Sequence, residues 1–159
     1  MTYGRFSDVS FEFQITDPEP PRPWQNYAWN EQYIISLNQS GDGRSQYKAP
    51  DCEDRASLLD ARRVYFEENG FAWCAGYMPI CVRPERFACR VGLHYSVIEQ
   101  SIGGIESSWR VFVPLDLPVE VWTLRVRNVS DENRSLRVFP GVHFCLDSFP
   151  ITVLPYEFL

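Results

Sequence analysis

Paired carboxylates, histidines beside nucleophiles, glycine-flanked charges and clustered aromatics carry much of enzyme and ligand chemistry, and the chain holds each kind. Glu67-Glu68 and Asp131-Glu132 are adjacent carboxylates, while Asp116 and Glu120 bracket Pro118. General acid and base work on a glycosidic bond needs two carboxyls facing each other across it. Sequence neighbours at strand ends or in turns do not face each other, so these acids are expected on the solvated surface. Asp147 stands alone. A Ser or Cys nucleophile needs a base steadied by a third group, and neither His94 nor His143 lies in a nucleophile motif. No catalytic residue is assigned.

The "GDGR" stretch at 41–44 presents two readings. Its backbone N–H groups could cradle a phosphate with Arg44 as a charged anchor, but two glycines around Asp42 more often make a hairpin turn, and the turn is the expectation. Cys52, Cys74, Cys81, Cys89 and Cys145 make an odd set without Cys-x-x-Cys spacing. They are expected as free thiols filling small core positions. His94 beside Cys74, Cys81 and Cys89 would lack the close-spaced ligand pairs of structural zinc, so no metal or cofactor is expected.

The stretch "PRPWQNYAWN" at 21–30 is the best candidate for ligand contact. Trp24, Asn26 and Tyr27 combine a stacking face with amide and hydroxyl groups, the mixture that a sugar's CH faces and hydroxyls require. With Arg22 they form the candidate substrate-binding set. Pro21 and Pro23 stiffen the same segment, so a structural corner is the competing reading.

Elements must position these groups, and the two-residue period supplies them. Trp109, Val111 and Val113 fall on one face of a strand. Trp122, Leu124 and Val126 alternate with Thr123, Arg125 and Arg127, and Leu136 and Val138 alternate with Ser135 and Arg137. The polar cluster at 128–135 predicts that these last two strands form a hairpin. Residues 87–99 read as one strand before a Gly103-Gly104 turn, and 31–38 as another before the Gly41-Asp42-Gly43 turn. In contrast, the acidic start and the Ala and Leu content of 51–68 fit a helix capped by Asp51 as well as they fit a strand.

Twelve prolines and 15% aromatic residues favour an all-β fold, an antiparallel sandwich forming one domain over 1–159. A net charge of −6 argues against nonspecific nucleic-acid binding, which needs a basic surface. No basic start precedes an apolar run, and no stretch approaches the roughly 20 apolar residues of a membrane span. The expectation is a soluble, cytoplasmic protein with no membrane partner.

"GRFSD" (4–8), "ITDPEPPRPWQNY" (15–27), "SQYKAP" (45–50), residues 89–139 with "FVPLDLPVEVWTLRVRN", and "FCL" (144–146) together resemble the N-terminal region of glycoside hydrolase family 94. That family comprises inverting disaccharide phosphorylases, such as those acting on cellobiose and chitobiose, and related domains of cyclic β-glucan synthases. The resemblance implies a β-supersandwich of galactose-mutarotase-like shape. In the family it precedes a helical linker and an (α/α)6 barrel that carries the catalytic aspartic acid and most phosphate and sugar ligands. The chain resembles the sandwich alone, so the expectation is a truncated, noncatalytic, carbohydrate-binding unit with an oligosaccharide as its ligand. Homodimerisation, or self-association through exposed sheet edges, is the expected mode of partnering. Two alternatives stand beside this: a subunit of a split phosphorylase whose barrel is on another chain, and a purely structural or interaction sandwich.

Overall fold

Every regular element in the computed structural model, which describes residues 3–48 and 56–144, is a β-strand. In chain order these are β1 (Gly4–Phe6), β2 (Phe13–Ile15), β3 (Gln25–Trp29), β4 (Tyr33–Asn38), β5 (Ser45–Tyr47) and β6 (Ala56–Glu68). They continue with β7 (Phe71–Cys74), β8 (Arg86–Val91), β9 (Tyr95–Ile102), β10 (Ile105–Phe112), β11 (Val121–Asn128) and β12 (Arg137–Phe144). Two antiparallel sheets result. One runs β1-β2-β8-β9-β10-β11 and the other β12-β6-β5-β4-β3, with β5 and β7 each pairing with part of β6. The expected all-β sandwich is therefore the architecture.

Alternation decides which face each strand buries. In β4, Tyr33, Ile35 and Leu37 are buried while Ile34, Ser36 and Asn38 are half-buried. Trp109, Val111 and Val113 share the core face, as their spacing predicts, with Ile98 and Cys89 beside Trp109 across the sheet. Phe66 stacks on Trp73 from the second sheet, ring centroids 5.4 Å apart. Trp109 meets Trp122 edge-on at 5.5 Å. Such pairs add about 0.5–1.5 kcal/mol beyond the burial of their area.

One open reading is decided and two sequence expectations are corrected. The stretch 51–68 is not helical where it is described: β6 buries Arg62, Val64, Phe66 and Glu68 and leaves Ala61, Arg63, Tyr65 and Glu67 half-buried, a strand period. Its first residues, 51–55, lie outside the described residues. Charged Arg62 and Glu68 occupy inward positions where apolar side chains would have marked the strand, which is why the period was hidden.

The predicted hairpin of 122–127 with 136–138 does not form. β11 pairs with β10, and β12 crosses to the other sheet to pair with β6. Arg134 fastens that crossing: its Nε donates to Glu68 at 2.7 Å and its Nη1 to the Gly103 carbonyl at 2.7 Å. Finally, 87–99 is two strands, because the chain reverses at 92–94 and Gly92 N–H bonds the Tyr95 carbonyl at 2.9 Å. The turns at Gly103-Gly104 and around Asp42 fall where expected, joining β9 to β10 and β4 to β5.

Candidate functional site

Pro21 and Pro23 deliver the chain to β3, and the candidate corner is built there. The Trp24 backbone N–H donates to Gln39 Oε1 at 3.0 Å. Its ring rests against Phe13 of β2 at 4.6 Å, and Phe13 meets Phe6 edge-on at 4.9 Å. Trp24 still leaves 45% of its surface exposed. Asn26 faces the opposite sheet. Its Nδ2 lies 3.2 Å from the Gly92 carbonyl, 3.0 Å from the Tyr95 carbonyl and 3.0 Å from Ser96 Oγ. The two amide hydrogens are thus committed to clamping β3 onto the β8–β9 turn. Tyr27 alternates with Asn26 and Ala28, so it projects from the other face of β3 and is 51% exposed. Arg22 is exposed. Trp24 and Asn26 thus meet at the seam between the sheets, and Tyr27 stands apart from them.

The carboxylates expected on the solvated surface are partly held by arginines instead. Glu120, just before β11, is buried against Arg62 of β6, with Arg62 Nε to Oε1 at 3.1 Å and Nη2 to Oε2 at 3.0 Å. Arg62 also donates to the Ser36 carbonyl at 2.9 Å and to Ser45 Oγ at 3.0 Å. Ser45 Oγ donates to Glu120 Oε2 at 2.5 Å, and Trp122 Nε1 donates to Glu120 Oε1 at 2.6 Å. This buried network joins the two sheets. Burial first, with the neighbouring Glu120 charge, raises the Tyr33 phenol beside it above its ordinary value against the opposing Ser45 contact.

Glu67 pairs with Arg137 and Glu68 with Arg134. The Arg137 contact holds the Glu67 carboxyl below its ordinary value, and the Arg134 contact does the same for Glu68. Asp116, Asp131 and Glu132 are exposed, and Asp147 lies outside the described residues. Carboxylates engaged in this way have no free face to offer a scissile bond.

At 41–44 the turn consumes its own donors. Asp42 N–H bonds Asn38 Oδ1 at 3.0 Å and Arg44 N–H bonds Ser36 Oγ at 3.0 Å. Gly43 has φ +147°, and a Cβ there would sit 1.9 Å from the Ser36 carbonyl oxygen. Close backbone approach, not phosphate, accounts for this glycine. Cys74 and Cys89 are buried, and burial pushes the Cys89 thiol up to about 12. Cys81 is exposed beside Met78, and His94 is exposed in the β8–β9 turn. Cys52 and Cys145 lie outside the described residues. Among the described residues no three His, Cys, Asp or Glu side chains converge as a metal set.

One polar cluster escaped the sequence reading. Glu12, nearly buried at the start of β2, accepts from Tyr95 Oη at 2.7 Å, from Ser10 Oγ at 2.8 Å and from Arg90 Nη1 at 3.0 Å. Arg90 also grips Glu99 through Nε and Nη2, each at 3.1 Å. Burial pushes the Glu12 carboxyl up, but the Tyr95, Ser10 and Arg90 contacts outweigh it and leave it below its ordinary value. Only the pairing of β2 with β8 and of β8 with β9 brings these residues together, so no local spacing could have revealed them.

Comparison with known proteins places this geometry in a lineage. Residues 11–151 match the family model described as glycosyl hydrolase 94, supersandwich domain. The chain is 34% identical over 158 residues to a solabiose phosphorylase of Paenibacillus borealis, covering 92% of this chain and 21% of that protein. It is 28% identical to an N,N'-diacetylchitobiose phosphorylase of Vibrio furnissii, over 91% of this chain and 19% of that protein. A 3-O-beta-D-glucopyranosyl-beta-D-glucuronide phosphorylase of Paenibacillus borealis is 33% identical over 86% of this chain and 18% of its own length. The chain spans about a fifth of the length of the curated relatives it matches. Two antiparallel sheets joined through Arg62 and Glu120, together with a family match over 11–151, assign the chain to the glycosyl hydrolase 94 supersandwich domain family.

Proposed function

We propose that the chain is a noncatalytic, carbohydrate-contacting sandwich of a disaccharide phosphorylase. The supersandwich match over 11–151 carries this reading, since the relatives named above are all phosphorylases. The engaged state of Glu67, Glu68 and Glu120 supports the noncatalytic part. Contact with sugar is assigned to Arg22 and to the exposed face of Trp24, with Asn26 positioning the strand, while Tyr27 on the other face of β3 is left out of this corner. The test supplies the chain with phosphate and either cellobiose or N,N'-diacetylchitobiose. The reading expects no sugar 1-phosphate, together with weak saturable quenching of tryptophan fluorescence that Trp24→Ala abolishes while the fold persists. Turnover by the chain alone would overturn the noncatalytic reading, and quenching untouched by Trp24→Ala would remove the corner from it.

A second reading, a subunit working with a barrel on another chain, is favoured by the apolar side chains of β12. Val138, Phe139, Val142 and Phe144 are 40%, 50%, 45% and 62% exposed. Mixing the chain with a barrel-only chain of a relative and assaying sugar 1-phosphate tests it. Activity no greater than that of either part alone rejects it.

A further inference from the structure

The sheet β1-β2-β8-β9-β10-β11 has a second face, turned away from the core. Strand register places Arg90, Val97, Arg110 and Thr123 in one row on it, and Ala88, Glu99, Ser108 and Arg125 in the next. Arg5, Arg86 and Arg127 belong to the same face by the same alternation. A chain of net charge −6 thus gathers six arginines on one sheet face. Their carboxylate neighbours there are fewer. Arg90 is shared by Glu12 and Glu99, and Arg86 pairs with Glu106. Among the described residues Arg110, Arg125 and Arg127 form no ion pair.

Arg110 is held in place without a carboxylate. Its guanidinium lies 4.9 Å from the Tyr95 ring centroid and 4.7 Å from that of Phe112. Stacking of this kind orients a cation while leaving its N–H edge open. Tyr95 is in turn fixed by its hydrogen bond to Glu12. Arg125 is the diagonal neighbour of Arg110 across β10 and β11, near enough for two long side chains to converge. Thr123 and Ser108 place hydroxyls beside them. A hollow of about 400 Å³ is lined by Arg90, Tyr95, Ser108, Arg110, Thr123 and Arg125. It shares Ser108 and Arg125 with an adjoining hollow of about 710 Å³.

We propose that this trough is an oxyanion-binding site, in which Arg110 and Arg125 clamp a phosphate, sulfate or carboxylate group and Thr123 and Ser108 donate hydroxyl hydrogen bonds. Two like charges set side by side repel unless an anion lies between them. Guanidinium edges match such groups bidentately, and prior stacking of Arg110 lowers the ordering cost of binding. Arg90 is shared by the Glu12 and Glu99 carboxylates, so one negative charge remains beside the trough, and the paired charges of Arg110 and Arg125 must outweigh it. This site is separate from the Trp24 corner and does not depend on the reading given to that corner.

The test titrates the chain by calorimetry and amide NMR with phosphate, sulfate, glucuronate and neutral glucose, at ionic strength held constant with chloride. Saturable binding of at least one oxyanion, weakened about tenfold or more by Arg110→Gln and by Arg125→Gln, is expected. Lys48→Gln, which removes an equal charge at the end of β5, should leave it unchanged. Binding of phosphate and sulfate alone identifies a phosphoryl or sulfuryl ligand, whereas glucuronate binding identifies an acidic sugar. No saturation with any oxyanion, binding of glucose alone, or equal losses in all three variants would overturn the proposal. Both arginines are exposed, so circular dichroism should show the variants folded. Trp24→Ala should leave oxyanion binding intact, which separates failure here from failure of the sugar-contact reading.

Discussion

The most consequential single residue is Arg62, fully buried and bound to Glu120 across the two sheets. Removing one member of such a pair strands an uncompensated charge, at a cost of about 3–5 kcal/mol. Arg62→Met or Glu120→Leu alone should therefore lower the midpoint of urea unfolding steeply. The double variant should recover part of that loss, because no unpaired charge stays buried although Ser36, Ser45 and Trp122 lose their partners; a double variant no better than the worse single would refute the account. Acid sensitivity belongs to this scale too. Glu12, Glu67 and Glu68 all titrate below their ordinary value in the folded chain. Their contribution is present above the unfolded carboxylate pKa, about 4.3, and is lost as pH falls through the lower folded values. Thermal melts should show the midpoint dropping as pH falls below about 5, and Glu68→Gln should flatten that drop. The sequence offered little warning of these roles: Glu120 and Arg62 are 58 positions apart, and each reads locally as surface.

At the scale of elements, strand periodicity was legible wherever the inward residues are apolar. Trp109, Val111 and Val113 declared β10 and the residues that follow it, and the Asp42 turn declared the β4–β5 hairpin. β6 was obscure because Arg62 and Glu68 interrupt its apolar alternation, and their partners, Glu120 and Arg134, come from distant connecting segments. The pairing of β11 was misread for a related reason. A polar stretch between two alternating segments signals a reversal, yet it does not say whether the chain returns to the same sheet. The aromatic corner was legible as composition and half legible as a site, since nothing local marks Asn26 as facing inward. Asn26→Ala should cost about 1–3 kcal/mol, because it leaves buried acceptors at the β8–β9 turn unpaired. Hydrogen exchange should then quicken in β3 and at residues 92–96 before the rest of the sheet. Gly43→Ala brings a methyl group into the Ser36 carbonyl and should loosen the β4–β5 hairpin more than any change at Gly70, where a Cβ meets nothing within 4 Å.

For the whole molecule, the open question at the sheet edges is what restrains them. Among the described residues β12 ends one sheet, with Phe139 50% and Val142 45% exposed. An exposed apolar edge is a template for pairing with another chain. Pro140 lies in the middle of this edge, opposite Val64. The Val64 carbonyl accepts from Ala75 N–H at 2.9 Å, on the side of β6 away from β12. In an antiparallel strand the N–H and C=O of one residue point to the same side, so Val64 and Pro140 are a non-hydrogen-bonded pair and the Pro140 nitrogen faces outward. The proline therefore removes a donor from the open edge while costing the β12–β6 ladder nothing. Pro140→Thr restores that donor and adds a β-branched residue, and sedimentation velocity should show a concentration-dependent rise in associated species. Pro140→Gly, which restores the donor but weakens the strand, should associate less than Pro140→Thr. If both variants sediment like the parent chain, the edge is not where the molecule would pair, and the exposed side chains of β12, which lie on both faces of its sheet, must be answered by something that packs over them.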